Sequence, residues 1–173
     1  MFQKLLLTIV TFLAVMTADA QEHITFMGLP VDGNINNFSS QMKRIGFKRV
    51  AKDKKAGTWM FTGQFTGQES DVCVVFDRAT KVVSSVIVYL PDQGGQDAQS
   101  RMESYDRMLT EKYPEAMRTV KGLGREMHIE FGMQNGIISL WKTPTLTGHY
   151  RVAITYFDRI NNTKKRSSLI NDL

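Results

Sequence analysis

The spacing of apolar residues divides the chain into stretches of different period. First comes a nearly unbroken apolar run from Leu5 to Val15, interrupted only by Thr8 and Thr11. A short apolar piece, "HITFMGLPV", follows and is broken by Gly28 and Pro30. From Ile35 the apolar positions Phe38, Met42 and Ile45 recur at three and four residues, which is one helical face. Asp32, Gly33 and Asn34 ahead of it are turn and cap formers, and Gly46 ends it with Phe47 folding back. "KRVAKDKKAG" then reads as a charged connection. The period drops to two in "TWMFTGQF", where Trp59, Phe61 and Phe65 share one side of a strand. "VCVVF" is a continuous apolar run of the buried-strand kind, and "VVSSVIVYL" is a third strand before Pro91.

The Asp-Gln-Gly-Gly stretch after Pro91 is the clearest break in the chain. Beyond it, Ala98, Met102, Tyr105, Leu109 and Lys112 or Tyr113 define a second helix, with Asp97 as its N-cap and Pro114 as its limit. "REMHIEF" alternates strictly, with Met127, Ile129 and Phe131 on one side. Asn135-Gly136 predicts a two-residue hairpin turn with both residues at positive φ, and "IISLW" is the return strand. "HYRVAITYF" alternates again through Tyr150, Val152, Ile154 and Tyr156. Helix and three strands, twice, predicts an α+β domain: a single antiparallel sheet of about six strands with two helices packed on one face.

That order is similar to the small exported folds of β-lactamase-inhibitor-protein type and of the lipoproteins that assist outer-membrane barrel assembly. The resemblance is one of topology, carries no motif, and so brings no activity with it. "FMGLPVDGNINNFSSQMKRIGF", from Phe26 to Phe47, resembles the opening of many small exported proteins of gut bacteria. In these an aromatic-x-Gly-x-Pro segment and a glycine turn precede the first helix. The likeness implies an envelope protein in which Gly28, Pro30 and Gly33 serve backbone turns rather than chemistry.

The first apolar run agrees with that setting. Lys4 precedes it and Ala18-Asp19-Ala20 follows, the small-x-small pattern cut by a signal peptidase, here before Gln21. The run is too short to span a bilayer, and no later segment is apolar enough. The expected organisation is a signal peptide over 1–20, one domain over 21–160 and a basic tail over 161–173. The expected location is periplasmic or secreted. Removing twenty of the 173 residues leaves 153, enough for one domain with a sizeable core. Lys4 and Asp19 cancel, so the net charge stays at +5. Cys73 is the only cysteine, has no intrachain partner, and reads as a small buried hydrophobe.

Candidate chemistry centres on Glu126, His128 and Glu130, which share one side of a strand. Two carboxylates and an imidazole are zinc ligands, and Glu130 would be a base, which defines a metal-dependent hydrolase as the rival reading. Alternation of a half-buried strand explains the same spacing without a site, because ligands at alternate positions lie about 6–7 Å apart. His149 joins the cluster only if its strand pairs with that of His128, and His23 sits where the chain start frays. The sequence holds no H-E-x-x-H, G-x-S-x-G, phosphate loop or C-x-x-C. No cofactor and no metal is therefore expected.

Basic clusters complete the picture. Lys48, Arg49, Lys52, Lys54 and Lys55 lie in one, and Lys164, Lys165 and Arg166 in the other. They suit an envelope protein partner or an anionic glycan or lipid surface. Export and the lack of interleaved aromatics argue against nucleic acid. Trp141 falls on the opposite parity from Ile138 and Leu140, off the core side, and with Lys52, Lys54 and Lys55 forms the expected interaction surface. The leading expectation is an exported non-catalytic binding protein of the bacterial envelope. A carrier with the sheet curled over an apolar cavity is the third reading.

Overall fold

The computed structural model describes residues 23–122 and 126–162. The leader read at 1–20, Gly124, and the basic residues Lys164, Lys165 and Arg166 lie outside the described residues. Local chemistry sets each element within them. Met27 and Gly28 take φ of 47° and 81° and close a two-residue turn between β1 (Thr25–Phe26) and β2 (Leu29–Pro30). The Asn34 side chain accepts from the Asn36 N–H at 2.9 Å and starts α1 (Ile35–Arg44). Gly46, at φ 96°, ends it, and the Phe47 N–H returns to the Met42 carbonyl at 3.0 Å while its ring enters the core. The second helix, α2 (Gly95–Lys112), starts at Gly94 with no side-chain cap, and Asp97 lies in its first turn instead.

Each helix leads into four strands. β3 (Lys48–Asp53), β4 (Thr58–Phe65), β5 (Gln68–Phe76) and β6 (Val83–Tyr89) form one antiparallel meander. β7 (Met117–Lys121), β8 (Met127–Gly132), β9 (Gly136–Pro144) and β10 (Tyr150–Asp158) form the other. The last strands of the two join antiparallel, with Val88 opposite Ile154 and Val86 opposite Tyr156. The result is one eight-stranded sheet of order β3-β4-β5-β6-β10-β9-β8-β7, beside the two-stranded β1–β2 piece.

The expected six-stranded α+β sheet is therefore corrected: the fold is mostly β, with eight strands in the main sheet. The two added strands are its edges. β3 is mostly exposed along its length, and a bulge between Arg49 and Ala51 breaks its period, so it reads as a charged connection. β7 is likewise mostly exposed and lacks the apolar alternation that marks a half-buried strand. Asn135-Gly136 is a second correction. Neither residue takes positive φ, and a longer loop joins β8 to β9, in which the Met133 N–H bonds the Gly136 carbonyl at 2.9 Å. Gly136 is needed for closeness rather than for φ: a Cβ there would stand 2.5 Å from the Phe157 carbonyl oxygen.

The core lies on one side of the sheet. Along one row, Phe61, Val72, Val88, Ile154, Leu140 and Ile129 face the helices, each opposite the next. Phe38 and Met42 of α1 and Ala98, Met102, Tyr105 and Leu109 of α2 pack onto this face. Phe26 of the small hairpin fits beneath them, stacked on Phe65 at 5.9 Å and edge-on to Tyr156 at 5.4 Å.

Candidate functional site

The opposite face of the sheet carries no helix and no hairpin among the described residues. Strand alternation puts a second set of side chains there. One row runs Lys121, His128, Trp141, Ala153, Tyr89, Asp71, Thr62 and Lys48 across all eight strands. The next includes Ser139, Thr155, Ile87, Cys73 and Met60, and the third Ile137, Phe157, Ser85 and Val75. An antiparallel sheet with one face in water ordinarily turns polar residues outward. Here Met60, Val75, Ile87, Tyr89, Ile137, Phe157 and Trp141 occupy those positions, partly exposed and uncovered. Trp141 is the most open of them, at 41 %.

Trp141 is braced from β8. The His128 ring stacks on it with centroids 3.8 Å apart and planes 16° from parallel. Burial pulls the His128 pKa below its ordinary value, and Glu130 only partly offsets this. His128 Nε2 lies 3.4 Å from Glu130 Oε1 but makes no hydrogen bond. Glu130 instead accepts from Lys121 Nζ at 2.8 Å, and that bond holds its carboxyl below the usual range. The imidazole lies as a flat plate against the indole.

The candidate acid–imidazole–acid cluster of the rival reading is reduced to the close approach of His128 and Glu130. Glu126 is exposed and lies outside β8, which begins at Met127. β8 and β10 both pair with β9 and not with each other, so His149, just before β10, is kept from His128 by an intervening strand. Among the described residues no three of His, Cys, Asp and Glu are grouped to hold a metal ion. Cys73 is buried on the open face, and burial pushes its thiol pKa up.

His23 is a correction, since it is anchored rather than frayed. Its Nδ1 lies 3.0 Å from Oδ2 of the fully buried Asp158, and its Nε2 lies 3.2 Å from Asp32 Oδ2. Asp158 also accepts from the Ile24 N–H at 3.2 Å and the Asn161 N–H at 2.9 Å. The Asn161 amide donates to the Val31 and Val83 carbonyls and to Asp32. This polar knot was legible in part, because Asp158 continues the inward parity of Val152, Ile154 and Tyr156.

The expected basic residues sit at the far edge. Lys52 belongs to β3, while Lys54 and Lys55 lie in the turn that follows, where Asp53 Oδ1 accepts from the Lys55 and Ala56 N–H groups. They are remote from Trp141, with β4, β5, β6 and β10 between their strand and β9. Solvent-open clefts of about 500 Å³ lie at two places among the described residues. One lies on the open face beside the Arg151–Asp92 ion pair, and the other between α2 and the β4–β5 turn. The first has a mainly polar lining, and the second mixes polar groups with Tyr105 and Met108.

No protein-family model, no curated protein and no solved structure matches the chain. No helix among the described residues is long and apolar enough to cross a membrane.

Proposed function

We propose that this chain is an exported, non-catalytic binding protein of the bacterial envelope, which seats a partner protein on the open face of its sheet. One observation carries the reading: a sheet face, uncovered among the described residues, that bears apolar side chains where polar ones ordinarily stand. Trp141, stiffened by His128, is its anchor, since a large amphipathic ring with little freedom left to lose favours association. The apolar run and cut-site pattern of the first twenty residues support export.

The test is site-directed photo-crosslinking in the envelope fraction of the source cells. A photoreactive residue is placed at Trp141, at Phe157, or at Met108, which is exposed on α2. The same adduct is expected from positions 141 and 157 and not from 108, and Trp141→Asp should abolish the adduct formed from position 157. Equal capture from all three positions, or none from the open face, would overturn the proposal. So would turnover of a substrate by the purified protein.

A further inference from the structure

Two of the three cations of β3, Arg49 and Lys52, lie on the helix side of the sheet, opposite the open face that carries Lys48. Val50 is the extra residue of the bulge: Arg49 pairs with Phe61 and Ala51 with Met60, so Arg49 and Lys52, three positions apart, point the same way. Both stand over the indole of Trp59, with Arg49 Cζ 4.8 Å and Lys52 Nζ 4.5 Å from its centroid. Trp59 is buried, and its Nε1 has no hydrogen-bond partner among the described residues. On α1, the buried Ser39 hydroxyl accepts from Arg49 Nη1 at 3.2 Å. Lys43 follows one turn later on the same helical face.

The local field has one sign. Withdrawal from water, and then the charges of Arg49, Lys54 and Lys43, hold the Lys52 ammonium below the usual lysine range, and no carboxylate figures among these influences. Asp53, the one acid in this stretch, is engaged with the amides of the next turn. Cations held this close repel one another until an anion enters.

We propose that Arg49, Lys52 and Lys43 form a binding site for a phosphate-type oxyanion at the free edge of the sheet, with Trp59 as floor and Ser39 fixing the guanidinium. The guanidinium offers paired N–H donors to two oxygens, and the ammonium groups add point charge. The site is separate from the open face and does not rest on the function proposed for it. The phosphate group arrives either free or on a lipid headgroup.

Two assays on the whole chain distinguish these sources: calorimetric titration with inorganic phosphate at low salt, and co-sedimentation with phosphatidylglycerol or phosphatidylcholine vesicles. The variants are Lys43→Gln with Lys52→Gln, Arg49→Gln, and Arg107→Gln on exposed α2 surface as a control that removes one charge, as Arg49→Gln does. Each lysine removed should weaken binding about fivefold, hence about 25-fold for the pair. Arg107→Gln should leave binding within about twofold. Binding of phosphate alone identifies the free ion, and binding of phosphatidylglycerol vesicles alone identifies a headgroup. Absence of both, or equal weakening by Arg107→Gln and by the lysine pair, overturns the site. Because Arg49 holds a buried hydroxyl, circular dichroism accompanies its variant, and the exposed lysine pair decides the outcome if Arg49→Gln unfolds.

Discussion

Glycines 63, 132 and 136 all lie in strands, and their surroundings predict different outcomes for alanine. A Cβ at Gly63 would stand 2.7 Å from Phe47 Cδ1 and 3.1 Å from its Cα, in the space where that ring enters the core. Gly63→Ala should cost about 1–3 kcal/mol by urea denaturation. At Gly136 the obstacle is a ladder carbonyl at 2.5 Å, which cannot swing aside, so the loss should reach about 3 kcal/mol or more. Gly132 meets nothing nearer than 3.6 Å, and Gly132→Ala should stay within about 0.5 kcal/mol of the parent. His128 adds a pH dependence. Its folded pKa lies below the ordinary histidine value of 6.5, so the unfolded chain takes up the proton more readily. Its contribution is intact above that value and is lost as pH falls through it toward the folded one. Urea midpoints at pH 8 and pH 5.5 should separate more for the parent than for His128→Asn. Equal separations would refute the assignment.

At the scale of elements, the Asp158 knot and the β3 bulge make the sharpest demands. Asp158→Ala strands the buried Ile24 and Asn161 N–H groups and releases His23. Each orphaned donor costs about 1–3 kcal/mol, so the midpoint should drop by the equivalent of at least about 3 kcal/mol. Val50, 56 % exposed, interrupts β3 without pairing. Deleting it preserves every other pair, so stability should stay within about 1 kcal/mol and phosphate affinity should persist. These elements also show how far the sequence could be read. The inward faces of β4, β8 and β10 were plain, because a two-residue period is the imprint of one buried face. β3 and β7 left no such imprint, since an edge strand pairs through its backbone while most of its side chains stay in water. The Trp141 parity was legible, whereas the stacking of His128 on it depends on strand pairing that no local pattern encodes.

For the whole molecule, the β6–β10 junction joins the two meanders into one core. The chain has two tryptophans, one on each side of that junction. Trp59→Phe leaves Trp141 to report on the second meander, and Trp141→Phe leaves Trp59 to report on the first. Each variant should give the same urea midpoint by fluorescence as by far-ultraviolet circular dichroism. A fluorescence transition that precedes the dichroism in either variant would mean that the halves melt separately.

The tie between His23 and Asp158 reaches across 135 positions of the chain. A polypeptide emerging from a ribosome or a translocation channel offers its small hairpin Phe47 and Phe65 early, but the Tyr156 edge and the Asp158 carboxylate only once the tenth strand has arrived. The His23 anchor therefore cannot close before that strand is in place. A product cut short before that strand would leave the Met27-Gly28 turn loose, marked for any protease that patrols the compartment.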